Sequence, residues 1–175
     1  MKSARVIITF DCPRNCSYCC NKQPKGLESG KYIKELADIK GYDNYVITGG
    51  EPLNNPVTTL NIIKELKELN PEAKIYMYTS IWLSTPEQLE IFDLLDGITY
   101  SLHGKGTEVD KVMFNSFQDV LSFSHHYLSG RLWIDNQFAY SIEIVPSIWE
   151  RIIQEEPKKE YFPLGEDGNL FILEN

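Results

Sequence analysis

Short runs of β-branched and apolar residues alternate along most of this chain with longer segments of helical periodicity. This alternation predicts repeated β-α units. Parallel strands need long connections, because a tight turn joins only antiparallel neighbours, so the units predict a parallel sheet. The predicted strands are residues 5–10, 45–48, 74–79, 98–102 and 132–135, with further strands at 140–145 and 169–173.

Helical segments fill most of the intervals between these strands. Asn55 as N-cap and Pro56 at the first helical position predict the start of one helix, and Asn70 ends it. Thr85 and Gln88 have the spacing of a capping box. The predicted helices are residues 31–40, which end at Gly41, then 56–69, a short helix from 85 to about 95, and segments 116–128 and 147–154.

Five or six such units predict an α/β fold, a partial barrel with parallel strands. A chain of 175 residues is of single-domain size. We therefore expect one domain over residues 1–175, with a core of about 4–155 and a C-terminal segment of about 156–175 that begins before the turn at 166–168. Ligand sites in parallel α/β sheets lie where the strands end, so candidate chemistry is sought there.

All four cysteines, Cys12, Cys16, Cys19 and Cys20, directly follow the first strand. A disulfide framework spreads its cysteines along the chain, whereas a tight cluster indicates metal ligation or redox chemistry. The first three have the spacing C-x3-C-x2-C, which can bring three thiolates to three irons of a cubane cluster. The fourth iron is then open, as in a reactive metal site, so such a cluster would be catalytic.

The second strand ends in Thr48-Gly49-Gly50-Glu51-Pro52. Two glycines allow the backbone to approach a ligand closely, and a carboxylate can pair with a positive amino group. This segment is therefore a candidate binding loop.

The fourth predicted strand places Thr99, Ser101 and His103 on one face by its period of two. We expect that face to line the barrel. The exits of the third and fifth strands, Thr79-Ser80 and Asp135-Asn136, point to the same mouth.

The spacing C-x3-C-x2-C after the first strand, with Tyr18 before the third cysteine, resembles the signature of the radical S-adenosylmethionine superfamily. The resemblance implies a [4Fe-4S] cluster and S-adenosylmethionine as cofactors, with the amino and carboxylate groups of S-adenosylmethionine on the open iron. Its reductive cleavage gives a 5′-deoxyadenosyl radical that removes a hydrogen atom from a substrate. The resemblance implies that Tyr18 lies near the adenine. Thr48-Gly49-Gly50-Glu51-Pro52 resembles the superfamily's second motif, in which Glu51 would hold the ammonium, while Ser101 would reach the ribose and His103 would contact cofactor or substrate.

The resemblance also implies partners, a flavodoxin- or ferredoxin-like electron donor and a small-molecule or peptide substrate. The net charge of −8 argues against a nucleic-acid substrate. The chain starts without a secretory signal and has no apolar run long enough to cross a membrane, so we expect a cytoplasmic protein.

Several alternatives stay open. The small size is shared with activases of glycyl radical enzymes and with enzymes that make 7-carboxy-7-deazaguanine. The activase predicts an exposed barrel mouth, and the small-molecule enzyme predicts a pocket closed by residues 161–175. A different class is a non-enzymatic iron-sulfur or zinc binding module, with Cys20 or a histidine as a fourth ligand. We expect Cys20 to be a spare thiol.

Overall fold

In the computed structural model of this chain, successive residues along most strands alternate between a buried face and a partly open face of the sheet. The structure describes residues 1–14, 16–22, 27–123, 128–157 and 169–174. Within them it contains three α-helices and one sheet. The strands are β1 (Ser3–Ile7), β2 (Lys31–Ile33), β3 (Asn44–Thr48), β4 (Lys74–Thr79), β5 (Gly97–Leu102), β6 (Ser129–Asp135), β7 (Arg151–Glu155) and β8 (Leu170–Leu173), and the helices are α1 (Pro56–Leu69), α2 (Pro86–Leu94) and α3 (Glu108–Phe123).

All strand pairs are parallel, in the order β2-β8-β1-β3-β4-β5-β6-β7. The sheet is not closed, because β2 and β7 lie at opposite edges. The predicted α/β class with a parallel, partial-barrel sheet is confirmed. The last strand, β8, lies between β1 and β2, so the described end of the chain belongs to the sheet and does not cover the strand ends.

The helices cover one face of this sheet. On that face, Val6, Ile47, Met77 and Leu132 are at most 1 % exposed and belong to one continuous core. The alternate positions point to the concave face, where most side chains are only partly buried. Removal of apolar surface from water on the helical face is the main force that holds the layers together.

Two helix starts agree with the sequence prediction. The side chain of Asn55 accepts a hydrogen bond from Thr58 N at 3.2 Å, and Thr85 Oγ1 accepts one from Gln88 N at 3.3 Å. Each cap satisfies a backbone donor that the first helical turn leaves free. The Gln88 side chain accepts from Leu83 N at 2.7 Å, so the predicted capping box is present only in its Thr85 half.

The predicted helix at 31–40 is wrong. This segment forms β2, which pairs with β8, followed by a 3-10 helix at Leu36–Ile39 and a turn at Gly41. Ile33, Leu36 and Ile39 are buried, as the helical pattern required. A strand followed by a 3-10 turn places them in the core as well as a helix would, and pairing with a strand distant in sequence decides between the two.

The C-terminal half departs furthest from prediction. Helix α3 begins eight residues earlier than the predicted 116–128, and residues 124–127 lie outside the described part. The predicted helix at 147–154 is a 3-10 helix, Pro146–Ile148, followed by β7. β7 is the edge strand next to β6, and its pairing with β6 overrides a short helical pattern.

The predicted strand at 140–145 is also wrong. The Gln118 side chain on α3 donates to Glu143 O at 2.8 Å and accepts from Val145 N at 3.1 Å. A buried side chain thus supplies partners that a neighbouring strand would otherwise provide.

Strand β1 ends at Ile7, and the remainder of the predicted segment 5–10 continues toward the cysteines. The final strand at 169–173 is confirmed as β8, while the predicted turn at 166–168 lies outside the described residues. Among the described helices, none is long and apolar enough to cross a membrane.

Candidate functional site

The cysteine loop, residues 12–19, leaves the sheet where β1 ends. Cys12, Cys16 and Cys19 are not joined in disulfides and are partly buried. The turn is held by a hydrogen bond from Cys19 N to Cys16 O at 3.3 Å, and Lys22 donates through Nζ to the same carbonyl at 3.2 Å. The Cys20 side chain lies outside the described part of the structure, so its predicted spare-thiol role stays a prediction.

The three thiols lie close enough to affect one another's ionisation. Burial raises the pKa of Cys12, and the charges of Glu51 and Cys19 act in the same direction. Burial also raises the pKa of Cys16, with further contributions from Cys19 and Cys12. Three thiolates in this loop would repel one another in a partly dry environment, and a bound cation would relieve that repulsion.

Within the described residues, no three His, Cys, Asp or Glu side chains are grouped as the ligands of one metal ion would be. A zinc site needs its ligands to converge on a single ion about 2.3 Å from each sulfur. A cubane is held at separate irons, so its thiolates can lie farther apart.

The segment after β3 is packed directly against the approach to the cysteines. Gly50 N donates to Thr9 O at 2.7 Å, and Glu51 N donates to Asp11 O at 2.8 Å. A Cβ on Gly49 would lie 2.3 Å from Thr9 O, and one on Gly50 would lie 2.1 Å from Asp11 O. Gly49 also has φ of +143°. The two glycines therefore allow the backbones after β1 and β3 to approach each other, a use that the sequence interpretation had assigned to a ligand.

The Glu51 carboxylate is buried, with 2 % of the residue exposed. Its Oε1 accepts from Leu53 N at 3.1 Å and Thr79 Oγ1 at 2.7 Å, and its Oε2 accepts from Ser80 N at 2.7 Å and Ser80 Oγ at 2.8 Å. Burial raises its pKa, and these hydrogen bonds oppose the shift. Four donors occupy about the full acceptor capacity of a carboxylate. Glu51 thus joins the ends of β3 and β4, and its predicted contact with an ammonium group stays a prediction.

Arg14 connects the cysteine loop to Ser80, which follows β4, and to Asp110 on α3. Its Nε donates to Ser80 Oγ at 2.8 Å and its Nη2 to Ser80 O at 2.8 Å. Nη2 also forms an ion pair with Asp110, and the two side chains are 16 % and 6 % exposed. Ser80 therefore links Arg14 to Glu51. Positive charge at Arg14 lowers the pKa of Cys12 and Cys16, in opposition to burial.

Sequence reasoning missed Arg14 and Asp110. Asp110 lies in the first turn of α3, six residues before the predicted helix start at 116, in a region that the prediction left without an element. The available signal was Thr107-x-x-Asp110, a capping pattern: Asp110 N donates to Thr107 Oγ1 at 3.2 Å, and Thr107 Oγ1 donates to Asp110 at 2.8 Å. For Arg14 the signal was a cation placed between two cysteines.

Tyr18 reaches from the cysteine loop to the ends of β5 and β6. Its hydroxyl donates to Asp135 Oδ2 at 2.7 Å and accepts from Gly104 N at 3.1 Å. His103 Nδ1 lies 3.2 Å from the same oxygen. Because the phenol proton is directed at Asp135, the neutral His103 ring donates from Nδ1 in this arrangement. The structure thus brings together Tyr18, His103 and the β6 exit, while the predicted contacts of Tyr18 and His103 with a cofactor or substrate stay predictions.

The ionisation of this cluster is fixed by burial. Burial lowers the pKa of His103 to about 4, so the ring is neutral near pH 7. Burial and the hydrogen bond to Asp135 raise the pKa of Tyr18. The His103 ring also packs at 5.4 Å from the Trp133 ring, centroid to centroid. The cluster is therefore a hydrogen-bonded support for the loop that carries no net positive charge of its own.

A cleft of about 540 Å³ opens beside these residues. Its lining includes Arg14, Cys16, Tyr18, His103 and Asp110. Ser101 is 8 % exposed on the concave face, and no partner for its hydroxyl is found in the described part of the chain. The Thr48 side chain is partly buried on the same face. Its backbone carbonyl accepts a hydrogen bond from Ile8 N at 3.1 Å.

An open parallel sheet with three cysteine thiols on one strand-end loop defines an α/β protein with a candidate cluster site. A family model described as a 4Fe-4S single cluster domain matches residues 4–116. This match spans well over half of the chain, which therefore belongs to that family. The matched range includes the cysteine loop, strand β5 and the segment that follows β3, and it ends within α3. The comparison with curated proteins finds no match.

Proposed function

We propose that this protein is a radical S-adenosylmethionine enzyme in which Cys12, Cys16 and Cys19 hold a [4Fe-4S] cluster. The observation that carries the proposal is the cysteine loop, which presents three mutually interacting thiols at the C-terminal edge of a parallel sheet. Membership of a 4Fe-4S single cluster family supports the cluster type. The bound, reduced cluster would supply the electron that cleaves S-adenosylmethionine to methionine and a 5′-deoxyadenosyl radical.

The chain's own residues would orient the cofactor and shield it. The Gly50 carbonyl has no hydrogen-bond partner among the described residues, so it is a candidate acceptor for the cofactor ammonium beside the filled carboxylate of Glu51. The free hydroxyl of Ser101 is a candidate partner for the ribose. Tyr18 and His103, which line the cleft, are candidates for contact with the adenine.

The electron would come from a flavodoxin- or ferredoxin-like donor, since the chain has no cysteines beyond the loop for a second cluster. The same cysteine inventory disfavours reactions that consume cluster sulfur.

Anaerobic reconstitution tests the proposal. The full chain, loaded with iron and sulfide and then reduced with dithionite, is expected to release 5′-deoxyadenosine and methionine in equal amounts from S-adenosylmethionine. Chromatography with mass detection measures both products. A folded, cluster-loaded protein that releases neither would be a non-enzymatic iron-sulfur module instead.

A further inference from the structure

Three arginines lie on the concave face of the sheet, away from the helices. Arg131 on β6 and Arg151 on β7 are exposed, and Arg5 on β1 is partly buried. Tyr78 lies between them, with the Arg5 guanidinium 5.2 Å above its ring centre. We call Arg5, Tyr78, Thr99, Arg131 and Arg151 the arginine row. Its arginines are three of the four arginines in a chain of net charge −8.

The strand register sets four of these side chains beside one another, whereas Arg5 is in register with Tyr76, two positions before Tyr78. Tyr78 pairs with Thr99, Thr99 with Arg131, and Arg131 with Arg151. Laterally paired residues on neighbouring strands point to the same face, with backbones about 4.8 Å apart. Like charges in this position destabilise a sheet. The Arg131–Arg151 pair therefore costs stability unless an anion lies between the two guanidinium groups.

No carboxylate of the described residues neutralises the row. None of its three arginines forms an ion pair within the ranges that the structure covers, and Arg5 Nε is buried without a hydrogen-bond partner. The acidic side chains on the adjoining segment bind elsewhere: Glu155 accepts from Trp133 Nε1 at 3.2 Å, and Glu150 accepts from the Ser129 hydroxyl. The three guanidinium groups therefore have no anionic partner among the described residues.

The row lies directly below the candidate site on the same face. Thr99 precedes His103 by four positions on one extended segment, which corresponds to about 13 Å. Arginine side chains are long enough to cover part of that distance. A small molecule with an anionic end on the row would extend toward Ser101 and the cysteine loop.

We propose that the arginine row binds an anionic group, a carboxylate or a phosphate, of a small-molecule substrate. The inference rests on the proposed function for its assignment as a substrate site. Arg131 and Arg151 form the anion contact, because a guanidinium presents two parallel donors that match either oxyanion. Arg5, stacked on Tyr78, flanks it. The paired cations then serve binding at the expense of stability, as functional sites often do.

The test is isothermal titration of the full chain, with and without its cluster, at low ionic strength. Inorganic phosphate and succinate are the two probes. Saturable binding of either supports the row, and the probe with the lower Kd distinguishes a phosphate from a carboxylate. Arg131→Gln and Arg151→Gln are each expected to raise that Kd by about tenfold or more, since each removes a charge-assisted hydrogen bond. Failure of both probes to bind, or binding unchanged in both variants, would overturn the proposal.

Lys64→Gln is the matched control, because Lys64 is an exposed cation on α1 whose removal changes the net charge equally. Its Kd is expected to stay within about twofold of the parent, as a distant surface charge is screened. A control effect as large as that of Arg151→Gln would mean that net charge alone attracts the probe, which contradicts a site.

Thermal unfolding without ligand gives a second, independent measurement. Arg151→Gln should leave Tm unchanged or raise it, because it removes a like-charge contact. A marked fall in Tm would indicate that Arg151 is a structural residue and would count against the proposal. Neither measurement requires cleavage of S-adenosylmethionine, so a failure of the proposed function and a failure of the anion site give different results.

Discussion

Replacing Cys16 with alanine is expected to abolish cluster binding and, with it, release of 5′-deoxyadenosine. Cys16 lies at the centre of the loop, its thiol interacts with those of Cys12 and Cys19, and its carbonyl anchors the turn. Loss of a metal ligand removes more than the 10- to 100-fold that loss of a supporting residue typically costs, so we expect a decrease of more than about 100-fold. Iron and sulfide content, cluster absorption and 5′-deoxyadenosine yield measure the effect.

Cys20→Ala is the control for Cys16→Ala. Both variants remove one thiol from the same short segment, but only Cys16 belongs to the C-x3-C-x2-C spacing. Cys20→Ala is expected to retain iron, sulfide and cleavage. The opposite result, a full cluster in Cys16→Ala and none in Cys20→Ala, would exclude the proposed ligand set.

Replacing Glu51 with alanine is expected to lower the free energy of unfolding by about 3 to 5 kcal/mol in the cluster-free chain. The substitution leaves two backbone N–H groups, of Leu53 and Ser80, and two hydroxyls without their acceptor in a buried site. Each orphaned buried donor costs about 1 to 3 kcal/mol, reduced where water or a rotated hydroxyl compensates. Urea unfolding followed by circular dichroism measures the change.

Glu68→Ala provides a matched glutamate on the exposed surface of α1. It is expected to change the free energy of unfolding by less than about 0.5 kcal/mol. Glu51→Gln should fall between the two, because an amide keeps one acceptor oxygen but turns donors toward Ser80. Equal, small effects of Glu51→Ala and Glu68→Ala would show that the carboxylate does not hold the ends of β3 and β4 together.

The sequence predicted the parallel α/β class and the strand ends as the place for chemistry. These features follow from local information. Both ends of β4 agree with the prediction. Asn55 and Thr85 cap their helices because short polar side chains satisfy free backbone donors. Tyr18, His103 and Asp135 meet because the ends of parallel strands and the loop after β1 share one edge.

Features that depend on distant partners were not predictable in this way. β7 exists through its pairing with β6, and β2 through its pairing with β8, which arrives from the far end of the chain. The role of Gly49 and Gly50 was assigned to a ligand because sequence cannot show that Thr9 and Asp11 lie against them. Likewise, the link from Arg14 through Ser80 to Glu51 joins three segments that no local pattern connects.

The most direct test of the central claim is electron-nuclear double resonance on the reduced, reconstituted protein. S-adenosylmethionine labelled with ¹⁵N at its amino group is added, and the coupling to the cluster is recorded. Three thiolates and one open iron predict a strong ¹⁵N coupling in the wild type that is absent without the labelled cofactor. An intact reduced cluster with no such coupling at saturating S-adenosylmethionine would contradict the account, because every iron would then already be occupied.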